Sequence, residues 1–259
     1  MIKENRKKYL LNLIEEEDFV KVSDIAKQLD ITKMTVRRDL NELEEKGFLI
    51  RKYGGAVKSE AITNIFTFDK RLKEMEDEKD AICRKAAGFI EKDDTVFIDC
   101  GTTLYKICKY IKDKKGLRVI TNSLPVVSEL INHKNINLNL IGGKIIHERK
   151  SVYGSMALKN LDEYHISKSF IGTNGLTIEN GLSSYDEQEG EITQKIIEKS
   201  SINYLLCDSS KIGKDSFYMF SPITSVQNII TDDKVDKKII NKLKKLKIKV
   251  ITTNLKKWK

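Results

Sequence analysis

The stretch Ile31–Ala56, I-T-K-M-T-V-R-R-D-L-N-E-L-E-E-K-G-F-L-I-R-K-Y-G-G-A, constrains the fold of this chain more than any other. Val36, Leu40 and Leu43 recur at i, i+4 and i+7, which predicts one buried helical face. Thr32 is placed to cap that helix, because its hydroxyl can accept an amide hydrogen that has no partner within the helix. Lys33, Thr35, Arg37 and Arg38 then project away from the apolar seam in the first turns. Short hydroxyl and long cationic side chains near a helix N-terminus suit the major groove of DNA. Gly47 is expected to end the helix, Phe48 to Lys52 to form a strand, and Gly54-Gly55 to turn it back. Helix and hairpin in this order describe a winged helix-turn-helix, with Arg51 and Lys52 adding cations on the wing.

Upstream residues supply the rest of the motif. Tyr9, Leu10, Leu13 and Ile14 share helical spacing within Arg6–Glu16 and predict a supporting first helix. Ser23 is expected to cap a second helix that turns Ile25, Ala26 and Leu29 inward, and the small Ala26 permits a close crossing. The candidate DNA contacts are therefore Ser23, Thr32, Lys33, Thr35, Arg37, Arg38, Arg51 and Lys52, and the expected partner is double-stranded operator DNA. The competing reading is a plain helical bundle with a solvated basic face. Adjacent Arg37-Arg38, flanked by threonine and followed by a wing, favours DNA.

At 259 residues the chain has room for this module over residues 1–57, a linker over 58–77 and a larger domain over 78–259. The linker is expected to hold one docking segment, a short strand before Arg71. The net charge of +9 does not by itself argue for nucleic acid, because much of the excess lies in lysines between Lys237 and Lys259. Ile239, Ile240, Leu243 and Leu246 give that segment its own core-facing stripe, so its lysines read as a solvated helix face. No apolar run approaches the roughly 20 residues of a membrane span, and the first residues lack the apolar core of a signal peptide. A cytoplasmic protein without membrane contact is expected. Cys83, Cys100, Cys108 and Cys207 form no C-x-x-C pair, and His133, His147 and His165 are scattered. Neither a metal site nor a cofactor is expected.

From Glu78 onward short apolar segments alternate with helical ones, which predicts an α/β domain around a mostly parallel sheet. Polar loops follow the predicted strands: Asp99-Cys100-Gly101-Thr102-Thr103, Thr121-Asn122-Ser123, Gly142-Gly143, Gly172-Thr173-Asn174-Gly175 and Asp208-Ser209-Ser210-Lys211. In open α/β sheets such loops line the ligand crevice. Each alone is an ordinary turn, but hydroxyls, amides, carboxylates and a lysine converging together suit a polyol phosphate.

Both halves resemble the DeoR family of transcriptional regulators. Thr35-Val36-Arg37-Arg38-Asp39-Leu40, Gly47, Arg51 and Gly54-Gly55-Ala56 carry the likeness in the first, with Tyr53 where the family commonly has histidine. The polar loops carry it in the second, together with Gly181-Leu182-Ser183-Ser184. The resemblance implies a sensor domain related in fold to sugar-phosphate isomerases and a phosphorylated sugar as effector; because one winged helix covers only a half-site, a homo-oligomer, dimer or tetramer, is also expected. The resemblance also implies that Gly101 to Thr103 hold the phosphate, with Asp99, Asn122, Asn174 and Lys211 near the sugar. The full set of candidate effector residues is Asp99, Gly101, Thr102, Thr103, Thr121, Asn122, Ser123, Gly142, Gly143, Asn174, Gly175 and Lys211. Cys100 stands where a smaller residue is frequent, and Arg149 is the nearest counterpart of an arginine often found after Gly-Gly. The alternative is an aldose–ketose isomerase fused to a DNA-binding module, for which Asp99, Asp186, Glu187, Glu189 and Lys211 offer acid and base groups. A repressor without catalysis is the preferred expectation.

Overall fold

The computed structural model describes residues 3–17, 19–45, 48–58 and 68–254. The chain divides into two compact units, Met1–Lys70 and Arg71–Lys259.

In the first unit, α1 (Lys3–Glu16), α2 (Val22–Gln28) and α3 (Lys33–Glu45) accompany a three-stranded antiparallel sheet. Its strands are β1 (Phe19–Lys21), β2 (Leu49–Lys52) and β3 (Gly55–Lys58), with β3 in the centre. The expected core is present: Leu10, Ile14, Ile25, Ala26, Val36, Leu40 and Leu43 are all buried. Strand β1 was not legible in the sequence. It pairs Phe19 with Val57 and Lys21 with Gly55, turning the two-stranded wing into a sheet. The two wing glycines have different reasons to be there. Gly54 adopts φ +79° in the turn, whereas a Cβ on Gly55 would stand 2.2 Å from the Val20 carbonyl oxygen.

Helices α1 and α3 are joined by charge as well as by apolar contact. Arg6 grips wholly buried Asp39 through Nε–Oδ2 at 2.5 Å and Nη2–Oδ1 at 3.1 Å. The motif Arg37-Arg38-Asp39 therefore splits, with the arginines exposed to solvent and the aspartate turned into the core. Ser23 does not cap α2. Lys21 occupies that position without a side-chain bond, and the Ser23 hydroxyl donates to Asp24 within the first turn. Buried Val22 begins the helix two residues earlier than expected, because it packs into the core. Gly47, expected to end α3, lies outside the described residues.

The segment expected to contain a short strand is instead helix α4 (Phe68–Lys73), followed by α5 (Glu76–Ala87). Asp69 in the first turn and Lys70, Arg71 and Lys73 after it suit a helix dipole, and only Phe68 is large and buried at its start.

The second unit is built on a seven-stranded sheet in which every pairing is parallel. Its strands are β4 (Thr95–Ile98), β5 (Arg118–Thr121), β6 (Asn137–Leu140), β9 (Ile166–Ile171), β12 (Ser200–Leu206), β14 (Asn228–Asp232) and β15 (Lys249–Thr253). They lie in the order β15-β14-β12-β9-β4-β5-β6. Alternate residues feed two separate cores: Phe97, Ile171, Leu205 and Ile229 on one face, Val96, Ile98, Phe170, Leu206 and Ile230 on the other. Both faces are therefore covered, as parallel strands with near-continuous apolar runs require. The helices include α6 (Thr102–Tyr105), α7 (Cys108–Ile111), α8 (Leu124–Leu130), α9 (Ser155–Asp162), α10 (Glu187–Lys199) and α11 (Lys237–Lys245). A hairpin of β7 (Lys144–Ile146) and β8 (Ser151–Tyr153), and a small sheet of β10 (Gly175–Thr177), β11 (Gly181–Ser184) and β13 (Tyr218–Ser221), complete it. From β4 the chain winds to β5 and β6 on one side, then crosses back to β9 on the other. The switch point between β4 and β9 is where a doubly wound sheet opens a crevice.

Candidate functional site

The first unit presents its reader surface on α3. Lys33, Met34, Arg37, Arg38 and Asn41 are all exposed, opposite the buried seam. Thr32 caps the helix as expected, accepting from the Thr35 amide at 3.2 Å, and the two hydroxyls lie 3.0 Å apart. Arg51 behaves differently from its neighbours. Its guanidinium donates to Asn41 Oδ1 at 2.5 Å, to the Arg37 carbonyl at 3.3 Å and to the Gly55 carbonyl at 3.1 Å. It fastens the wing to the reader helix, while Lys52 and the fully exposed Tyr53 stay in solvent at the wing tip.

In the second unit a pocket opens at the β4–β9 switch point. It is lined by Asp99 to Leu104 after β4, by Gly172 to Asn174 after β9, and by Asp208, Ser210 and Lys211 after β12. Arg71 of α4 and Lys79 of α5 line it as well. The loop after β4 is pinned from beneath: the Cys83 thiol donates to the Thr103 carbonyl at 2.8 Å, and Lys79 Nζ donates to Thr102 Oγ1 at 3.2 Å. Gly101 holds φ +138°, a conformation only glycine takes readily, and this turns the chain into α6. Glu189 at the start of α10 accepts from Arg149 Nη2 at 3.1 Å and from Ser184 Oγ at 3.1 Å. Asn174 Oδ1 accepts from the same hydroxyl at 3.2 Å.

Residues 6–61 match the DeoR-like helix-turn-helix domain, and residues 74–233 match the DeoR C terminal sensor domain. The chain belongs to the DeoR family. It is 34% identical over 252 residues to a Bacillus subtilis protein named as an uncharacterized HTH-type transcriptional regulator, FruR, covering 97% of this chain and 99% of the relative. It is 36% identical over 217 residues to the B. subtilis HTH-type transcriptional regulator IolR, covering 84% and 86% of the two chains. The lactose phosphotransferase system repressor of Lactococcus lactis is 34% identical over 239 residues, covering 91% of this chain and 93% of the relative. Among solved structures, ribose 5-phosphate isomerase A of Methanocaldococcus jannaschii aligns with a TM-score of 0.39 and 14% identity, covering 53% of this chain and 54% of that one. As a DeoR-family member the chain is a DNA-binding transcriptional regulator, and this reading displaces the isomerase alternative. No helix among the described residues is long and apolar enough to cross a membrane.

Within this DeoR-family sensor unit, the structure gathers half of the residues singled out from the sequence. Asp99, Gly101, Thr102, Thr103, Asn174 and Lys211 line the pocket. The others stand outside its lining and carry packing roles. Thr121 donates to the Ile98 carbonyl at 2.6 Å, and Ser123 caps α8. The Gly142 amide donates to Asn160 Oδ1 at 2.8 Å. Gly143 and Gly175 let chains pass closely, since a Cβ at either would stand 2.5 Å from a backbone oxygen. Asn122 is wholly buried, and its amide finds no hydrogen-bond partner among the described residues. Arg71, Lys79 and Glu189 were not singled out as pocket groups from the resemblance. Arg71 and Lys79 sit far from the glycine-rich loops in sequence and nothing local marks them, while Glu189 stood out only as an acid–base group of the isomerase alternative. Arg149, noted only as a departure, reaches the site's edge through its pair with Glu189.

Burial governs the electrostatics here. The Asp99 carboxyl is pushed up to about 7, first by desolvation and then by the Glu189 charge, against bonds from the Cys100 amide at 2.7 Å and Thr193 Oγ1 at 3.3 Å. The folded state therefore keeps a proton that the unfolded chain releases near pH 4. The stability this contributes is complete below the unfolded value and disappears as pH rises through about 7. Asp99→Asn removes that dependence. Denaturant titrations should show wild type losing ground to the variant between pH 4 and 7, with the difference level above that. A constant difference across this range would show that Asp99 ionises normally.

Proposed function

We propose that this DeoR-family regulator is a repressor of sugar-metabolism genes, controlled by a phosphorylated sugar held in the pocket of its second unit. The observation that carries the DNA-reading half is the exposed first turns of α3, where Lys33, Arg37 and Arg38 stand beside Thr32 and Thr35 over a buried seam. Ser23, Thr32, Lys33, Thr35, Arg37, Arg38, Arg51 and Lys52 form the DNA face, with Arg51 acting mainly by bracing the wing. One of Arg37 and Arg38 meets a base edge and the other a phosphate.

In the sensor, the amides of Thr102 and Thr103 take the phosphate, and Asp99, Asn174 and Lys211 meet the sugar. Their convergence at the sheet's switch point supports this assignment. So do relatives whose names refer to sugar systems. One winged helix covers one half-site, so the working form is a cytoplasmic homo-oligomer, dimer or tetramer, on repeated or inverted half-sites.

The test is titration of an operator selected from random DNA. Alanine at the base-reading arginine should cost about 1–3 kcal/mol and relax preference at one base pair. Lys52→Ala should instead weaken all sequences alike and reduce the salt dependence by about one unit. Light scattering on the same samples should find at least two chains per operator. Unchanged affinity in both arginine variants would remove α3 from the groove, and a monomer both free and on DNA would end the oligomer reading.

A further inference from the structure

Ten lysines and no acidic residue fall between Lys237 and Lys259, while the whole chain has a net charge of +9, so the rest of the sequence is close to balanced. Much of that charge stands on one helix. Lys237, Lys238, Lys242, Lys244 and Lys245 occupy one side of α11, all exposed, with Asn241 among them. Lys247 and Lys249 carry the exposed charge on into β15. Among the described residues none of these lysines makes an ion pair, whereas other lysines of the same unit do find carboxylates. Lys106 pairs with Glu76, Lys168 with Asp94, Lys195 with Asp162 and Lys234 with Glu78.

Solvation explains why these side chains are exposed, but not why they are segregated by sign. Lys242, Lys244 and Lys245 suit the negative C-terminal end of the helix. Lys237 and Lys238 do not, because they lie in the first turn, where the helix dipole disfavours cations. Lys238 also stands one turn from Lys242, where like charges repel. Only a polyanion from outside the chain relieves such a face. The opposite side of α11 is already committed to the protein: Leu243 is wholly buried and Ile239 packs against the sheet core. That apolar stripe is not available to sink into a lipid surface, as membrane-lying helices require. Ammonium groups on flexible stems, without a fork or a pocket, instead suit phosphates spaced along a duplex.

We propose that the lysine face of α11 is a second DNA contact of this regulator, independent of sequence, on duplex flanking the half-sites that α3 reads. It rests on the placing of α3 in the groove and adds a surface that ligand sensing does not need. Once α3 has engaged, the chain holds flanking duplex at high effective concentration, so contacts too weak to bind DNA alone prolong the bound state. Each lysine that meets a phosphate releases counterions from the duplex, which makes the contribution steep in salt. The face adds affinity without adding preference for any base.

The test uses the full-length chain and two duplexes carrying the same selected operator, one ending at the half-sites and one extended by about two helical turns on each side. Wild type should bind the extended duplex roughly tenfold tighter than the short one. Lys237→Gln/Lys238→Gln/Lys242→Gln/Lys245→Gln should lose that advantage and match wild type on the short duplex. Its salt slope on the extended duplex should fall by about 0.9 for each phosphate contact removed. The corresponding arginine variant, which keeps the charge, should keep the advantage. If the glutamine variant fails to fold, Lys238→Gln/Lys242→Gln decides the matter, since both positions are exposed and leave the apolar stripe untouched. Equal affinity of wild type for the two duplexes, or an advantage that survives in a folded glutamine variant, overturns the proposal and leaves α3 as the reader. Lysine-dependent binding to phosphatidylglycerol vesicles with no effect of the flanks overturns it in favour of an anionic membrane surface. A wild type that binds neither duplex overturns the reading of α3 as well.

Discussion

Asp39→Ala should unfold the first unit and abolish operator binding, although the residue never reaches DNA. Its carboxylate is wholly buried and receives two bonds from Arg6, which is itself nearly buried. Removing one partner of such a pair leaves a charge in a low-dielectric interior, and the expected loss is about 3–5 kcal/mol. A small unit of this kind has only about 5–15 kcal/mol in total, so the loss is large enough to populate the unfolded form. Lys7 and Glu42, paired at 2.5 Å between the same helices but partly exposed, contribute far less. Denaturant unfolding followed by circular dichroism should show an early transition in Asp39→Ala that wild type lacks. The double variant Arg6→Met/Asp39→Leu should recover most of the stability, because apolar side chains can replace a buried pair. A loss below about 1 kcal/mol in Asp39→Ala would show that the pair does not hold α1 to α3.

The second large effect is expected at the Gly101–Thr103 loop. Gly101→Val should eliminate the response to effector, and the structure identifies the reason as backbone strain. A Cβ there would meet only Leu104 Cδ2 at 3.6 Å, an ordinary contact, but φ +138° is closed to a β-branched residue. The loop would have to abandon a conformation whose strain costs of order 1–3 kcal/mol, moving the Thr102 and Thr103 amides away from the pocket. Lys211→Ala acts by a different route, removing a cation that lines the pocket and makes no ion pair among the described residues. Both variants should keep binding operator when no ligand is present and should no longer respond to sugar phosphate. Operator titrations with and without the phosphate panel decide this. An unchanged ligand response in both variants would dismiss the pocket as the effector site.

The N-terminal module was readable because its signals are local. Spacing of Val36, Leu40 and Leu43 fixes a helical face within a dozen residues, and Thr32 caps from three residues away. The features of that module without a local signal are nonlocal or fall between two plausible starts. Strand β1 is three residues long and has no pattern until β3 is beside it. Ser23 has the chemistry of a cap, yet burial of Val22 set the start of α2. The helix at Phe68–Lys73 reads as a strand in the sequence because aromatic spacing alone does not distinguish the two in so short a segment.

Local pattern alone carries the reader helix with its outward cations and the alternation of strand and helix that builds a parallel sheet. Only the tertiary structure decided which strand-end loops meet. Thr121, Gly142 and Gly143 look as suitable as Asp99, Gly101 and Lys211 when read in line. Strand order places the latter at the β4–β9 switch and leaves the former to packing. It also brought Arg71, Lys79 and Glu189 to the pocket from α4, α5 and α10. Periodicity is a property of neighbouring residues, so it survives in the linear chain. Convergence depends on how strands are ordered and crossed over, which long-range pairing sets and no local pattern records.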